Sequence, residues 1–127
     1  MLPSWMRTAL WATALLNLLG TITFLPGGHL IRQRMSLPPE THPMYLWIIA
    51  EFIFIFGVAY AYCAWTNRAP RVFIGVAAAG KFAFFTTLAG FWLSGDLPVK
   101  SVLAGSADLF FSGLFLAWLL LTRNRPN

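Results

Sequence analysis

Glu51, Lys81 and Asp108 are ionisable residues set deep inside long hydrophobic stretches, and Asn17 lies deep inside another. A charge at the centre of a bilayer costs about 2.5–3.5 kcal/mol on insertion scales, so three of them in a 127-residue chain imply partners within a helical bundle. Their charges sum to minus one if all three ionise. Lys81 is therefore expected to hold one carboxylate as an ion pair, while the other carboxyl stays neutral. A neutral acid, an ammonium and the Asn17 amide together can hydrogen-bond a carbonyl or a polar headgroup, and the acid can carry a proton. The chemistry on offer is polar recognition or proton transfer inside a membrane.

Four apolar stretches must position these residues: about Thr8–Leu25, Pro43–Trp65, Pro70–Leu93 and Leu97–Thr122. Each has the roughly 18 or more residues that a helix needs to cross a hydrocarbon core about 30 Å thick. Pro26-Gly27-Gly28 ends the first, Asn67-Arg68-Ala69-Pro70 reads as a tight turn, and Ser94-Gly95 stops the third. Pro43 and Pro70 suit first helical turns, and Asp96 is the expected N-cap of the fourth stretch, with Pro98 just inside it. The fold class predicted is all-α: one transmembrane domain over residues 1–127, a four-helix bundle with up-down topology.

Composition agrees with a lipid environment. The chain is 58% hydrophobic and 10% charged, with mean hydropathy +0.68, against about 25% charged in a soluble domain. Little length is left for an extramembrane catalytic domain. An even number of spans puts both termini and the second connection on one side, with Arg7, Arg68, Arg71, Arg123 and Arg125; Arg32, Arg34 and Lys100 lie on the other. The positive-inside rule then predicts cytoplasmic termini, and this topology accounts for the net charge of +5 better than nucleic-acid binding does. Trp5, Trp11, Trp65 and Trp118 fall near the inner interface, with Tyr45, Trp47 and Trp92 near the outer one. The first stretch exceeds a typical signal-peptide core and has no small-x-small site before Pro26, so it reads as a retained helix. Cys63 is the only cysteine, which excludes an internal disulfide and a cysteine-based metal cluster.

Small and weakly polar residues say which helix faces turn inward, because close backbone approach is what holds helices together in lipid. Thr13, Asn17 and Gly20 fall at i, i+4, i+7; Ser101, Gly105, Asp108 and Ser112 form a second stripe, and Ala77 and Ala78 precede Lys81 by one turn. Asn17, Glu51, Lys81 and Asp108 are thus expected to share one intramembrane polar layer. That layer is either a ligand or proton site or a set of interhelical ties. His29 and His42, with Glu40 between them, lack the helical spacing of a metal site, and the Pro38-Pro39 pair obstructs one. Neither histidine lies in a span, so haem ligation has no support. Tyr60 and Tyr62 read as interfacial, and Arg32 and Arg34 as contacts to lipid phosphates. No Ser/His/Asp grouping, phosphate loop or dinucleotide fingerprint is present, so soluble-type enzyme chemistry has no support.

Gly80-Lys81 followed by Phe84-Phe85 and Trp92, then Gly95-Asp96, and Asp108-Leu109-Phe110 with Leu114-Phe115 and Trp118, resembles a pattern in small four-helix bacterial membrane proteins similar to the DoxX-like group. The resemblance is best over the third and fourth stretches. It implies a multi-pass protein of the bacterial inner membrane, with quinone-dependent oxidation or redox-related membrane complexes as associations, and it maps no catalytic residue onto this chain. The Gly/Asn/Phe motifs and first-helix glutamate of fluoride channels and small multidrug exporters are missing.

The functional expectation is an integral membrane protein that binds a hydrophobic small molecule, such as a quinone or lipid, or serves as an accessory subunit of a membrane complex. The alternative is a homo-oligomeric proton-coupled transporter or channel. A membrane-embedded enzyme using Glu51 or Asp108 as general acid ranks behind both, since it needs a substrate cavity.

Overall fold

The computed structural model describes residues 1–38 and 41–125, and all regular structure among them is helical. Helix α1 covers Ser4–Phe24, starting at Ser4 rather than Thr8 because Pro3 supplies an extended N-cap ahead of it. Helix α3 (Pro43–Thr66) begins at Pro43, with the His42 ring nitrogen Nδ1 accepting from the Met44 N–H at 3.1 Å, and stops at the left-handed Asn67. Helix α4 covers Arg71–Leu93. Both α3 and α4 are long and apolar enough to cross a membrane, and α1 with the segment after it makes a third candidate when that bent pair is taken as one span.

Two expectations are corrected here. The connection after α1 is not a polar loop: Pro26–Gly28 forms a 3-10 turn that leads into α2 (His29–Arg34), and Pro26–Arg34 runs at 90° to α1. The fourth stretch is not one continuous helix. It divides into α5 (Val99–Ala104) and α6 (Ser106–Leu121) at Gly105, and α5 is preceded by Pro98 with no side-chain cap, so Asp96 lies in the turn and is not an N-cap. Ala104, Gly105 and Ser106 at the join include the weakest helix former after proline.

Three arginines close helix C-termini, where the last carbonyls have no partner within the helix and the macrodipole is negative. Arg32 Nη1 donates to Thr23 O at 2.8 Å and Leu25 O at 2.7 Å, folding α2 back on the end of α1. Arg7 Nε donates to Ala64 O at 2.7 Å in the last turn of α3. Arg71 reaches Leu119 O at 2.8 Å and Thr122 O at 3.1 Å at the end of α6, with its guanidinium 5.7 Å from the centre of the Trp118 ring. Arg32 is only 5% exposed, which corrects its reading as a lipid-phosphate contact.

The helices pair as two hairpins. α1 lies along α3, α4 lies along α6 with α5 beside it, and α1 against α6 joins the two, whereas α3 and α4 part soon after their shared turn. Gly57 allows the first pairing, since a Cβ there would stand 3.0 Å from the Asn17 Cβ; Gly105 allows the second, where a Cβ would meet Leu88 at 2.9 Å. Met6, Leu10, Ala64, Ile74, Phe115 and Trp118 pack the core at the end nearest the termini. The opposite half is held apart around a cavity.

Within the α1 packing, Thr13 is fully buried and its Oγ1 has no hydrogen-bond partner among the described residues. Removing an unsatisfied buried hydroxyl while keeping its shape relieves a desolvation penalty of about 1–3 kcal/mol. Thr13→Val is accordingly expected to raise the thermal unfolding midpoint in detergent, and a fall would show that the hydroxyl is bonded.

Candidate functional site

Lys81 and Asp108 form the ion pair expected of one carboxylate. Lys81 Nζ donates to Asp108 Oδ1 at 2.8 Å, with the lysine side chain 6% and the aspartate side chain 20% exposed. Local structure explains both placements. Lys81 follows Ala77 and Ala78 on the buried face of α4, where small side chains leave room for its stem. The break at Gly105 restarts the helix at Ser106, so Asp108 falls in the first turn of α6, where the positive end of the helix dipole favours a carboxylate. The ammonium also lies 5.4 Å from the centre of the Tyr60 ring and 5.8 Å from that of Phe111. Aromatic faces near a desolvated cation add about 0.5–2 kcal/mol each. Among the described residues, two of the three Lys81 N–H groups and the second Asp108 oxygen have no partner.

The pair sits in the wall of a cavity of about 700 Å³. Asn17, Tyr60, Phe84 and Met35 bring α1, α3, α4 and the segment after α2 to the same space, and its surface is overwhelmingly apolar. Its floor is aromatic: Phe56 stacks on Phe73 at 5.8 Å, and Tyr60 touches Phe73 at 5.5 Å and Phe115 at 5.8 Å. Phe24 and Phe84 meet edge to face at 6.5 Å higher up. α3 and α4 diverge, and the cavity both of them line is open, with Phe52 and Val76 among its exposed lining residues. A pocket of 300–1,000 Å³ with few polar groups is the size and character of a small-molecule site.

The expected layer forms only in part. Asn17 lines the cavity, but its Nδ2 donates to Ile53 O at 2.9 Å, tying α1 to α3. Its amide oxygen remains an acceptor. Glu51 does not join: it lies on the exposed face of α3, about 160° around the helix from Ile53, and has no salt bridge among the described residues. A period of 3.6 residues sets rotation as strictly as depth, and for Glu51 only depth matches the other three residues. Tyr60 is 2% exposed, which corrects its interfacial reading; Tyr62 is exposed. Ser101 and Ser112 do face inward, donating at 3.0 Å to Ser36 O and to Ala78 O. His29 is exposed, and Glu40 and Pro39 lie outside the described residues.

Sequence reasoning missed Tyr60 and the roof residue Met35. The signal for Tyr60 was its placement one helical turn from Phe56 and Ala64 on the face of α3 that meets α1 and α6. Met35 carried none, since it depends on the 90° corner. No protein-family model matches the chain, and none of the curated proteins or solved structures compared with it does either, so the site is read from its own chemistry.

Proposed function

We propose that this is a multi-pass protein of the bacterial inner membrane, a four-span bundle with cytoplasmic termini, that takes a hydrophobic small molecule of the quinone or lipid class from the bilayer through the gap between α3 and α4. The observation that supports this most is a neutral but incompletely bonded ion pair in the wall of an open, apolar cavity lined by both α3 and α4. A lipid-soluble tail fits the Phe52, Phe56 and Phe84 walls, while an uncharged head with acceptor oxygens meets the spare Lys81 donors and a head hydroxyl meets Asp108. A full anion is disfavoured, because Asp108 repels what Lys81 attracts. The topology agrees with the exposed basic residues: Arg68, Arg123 and Arg125 at the termini end, Arg34 and Lys100 at the other. Such a protein acts by binding and presenting the molecule, alone or as an accessory subunit of a membrane complex.

Gly80 provides the test. It lines the cavity, and a Cβ on it would meet nothing within 4 Å, so Gly80→Leu adds bulk at the cavity wall with no clash at its Cβ. Native mass spectrometry of protein extracted gently from its own membrane is expected to show a small hydrophobic adduct on the wild type and its loss from Gly80→Leu. An adduct kept at equal occupancy by Gly80→Leu places the molecule elsewhere and ends this reading.

A further inference from the structure

Glu51 is an ionisable side chain on the outer face of a helix apolar enough to cross a membrane. Its neighbours on that face are bulky and exposed: Trp47 at 52%, Phe54 at 49% and Val58 at 53%. Lipid tails offer no hydrogen bond to a carboxyl, so a polar group in that position calls for a protein partner at the same depth.

The same chain presents a complement. On α4, Ala79, Ala83 and Thr86 are exposed on a common face at i, i+4, i+7, a short stretch of small residues bordered by the larger exposed Val72 and Phe82. Glu51 precedes Thr66, the end of α3, by fifteen positions, and Thr86 follows Arg71, the start of α4, by the same fifteen. Since Thr66 and Arg71 flank one short turn, the carboxyl and the hydroxyl stand at one level, about 22 Å along each helix. Both also point away from the cavity: Glu51 is about 140° around α3 from Phe56, and Thr86 about 140° around α4 from Lys81. Thr86 Oγ1 donates to Ala83 O at 3.0 Å, which leaves its lone pairs free to accept.

We propose that copies of this chain associate side by side, the bulky α3 face of one seating on the small-residue α4 face of the next, with Glu51 hydrogen-bonded to Thr86 across the contact. The carboxyl bonds in either form: protonated, it donates to Oγ1; ionised, it accepts after the hydroxyl swings off Ala83 O. Ridge meets groove and polar meets polar at matched depth. Because the two surfaces differ, the contact is heterologous and repeats from copy to copy, closing into a ring or extending as a row. Phe56 and Lys81 in the cavity wall lie about 140° around their helices from this contact, so the assembly rests on residues other than those lining the cavity.

Disulfide trapping between two distinguishable copies tests it. On a Cys63→Ala background that keeps Glu51 and Thr86, one tagged chain carries Val58→Cys and a second, differently tagged chain carries Ala79→Cys, eight positions from Thr66 and from Arg71 and so again at one level; both are expressed together and oxidised in the membrane. A mixed disulfide is expected, with neither single variant cross-linking to itself. Absence of the mixed product, or cross-linking of Val58→Cys only with itself, overturns the proposal. As a second measurement, native mass spectrometry is expected to show several copies for the wild type and for Glu51→Gln, whose amide still bonds, and mainly one copy for Glu51→Ala. A copy number unchanged in Glu51→Ala also overturns it.

Discussion

Asp108→Leu alone is expected to destabilise the protein by about 3–5 kcal/mol, because it leaves the Lys81 ammonium buried without its counter-charge. Lys81 is 6% exposed, and the Tyr60 and Phe111 rings that remain beside it replace only part of a full ion pair. Lys81→Met alone is expected to act in the same direction but less strongly, since Asp108 is the more exposed partner and keeps the dipole of α6. The double variant Lys81→Met/Asp108→Leu should recover most of the loss, as apolar replacement of both members of a buried pair is often neutral. Denaturant unfolding of the four proteins in detergent measures the coupling by a double-mutant cycle. Coupling near zero would mean that the 2.8 Å contact is not maintained in the folded protein. The cycle also separates structure from recognition: a double variant that folds well but lacks the hydrophobic adduct proposed for the wild type would show that the pair serves binding as well as the fold.

The second large effect is expected at the corner between α1 and α2. A Cβ on Gly28 would collide with the backbone carbonyl oxygens of Ile22 and Thr23, and backbone cannot step aside as a flexible side chain can. Gly28→Ala should therefore open the corner, at a penalty of about 1–3 kcal/mol or more for forced overpacking. The same corner depends on Arg32, whose guanidinium satisfies the Thr23 and Leu25 carbonyls from a buried position. Arg32→Gln keeps one donor group but loses the charge, so it should cost about 1.5–3 kcal/mol, the range for a hydrogen bond involving a charged group. Both variants are expected to leave α3 and α4 helical while loosening the segment over the cavity, which carries Met35. Hydrogen exchange checks this: protection should fall in residues 22–37 and persist in α3 and α4. Uniform loss would show that the corner governs the whole fold.

Helix content and the chemistry of the ion pair were legible from residues alone. Apolar runs bounded by Pro26, Pro43, Asn67 and Ser94 place α1, α3 and α4 within a few residues of their observed ends, because a proline or an exposed polar turn stops a helix whatever surrounds it. The small residues beside Lys81 and Asp108 marked inward faces for the same local reason, and Ala77, Ala78, Ser101 and Ser112 are buried as their spacing indicates. What the sequence could not supply was rotation and partnership. Glu51 shares its depth with the pair but points outward, because the face of α3 that turns inward is chosen by Gly57, Tyr60 and Ala64 packing on α1 and α6, contacts between residues far apart in the chain.

The break at Gly105 belongs to the same class, since a glycine in an apolar run is compatible with a continuous helix, and only the structure shows it packed closely against Leu88 and Phe85 of α4. So does the burial of Arg32, which depends on α1 ending where its guanidinium can reach the last carbonyls. By itself, then, the sequence determined a membrane-suited, all-helical chain with a Lys81–carboxylate pairing to be made, because hydropathy, helix breakers and the expense of a lone charge in lipid are properties of residues. The tertiary structure decided that Asp108 rather than Glu51 is the partner, and that α3 and α4 diverge around a cavity, because rotation about a helix axis is set by packing with other helices.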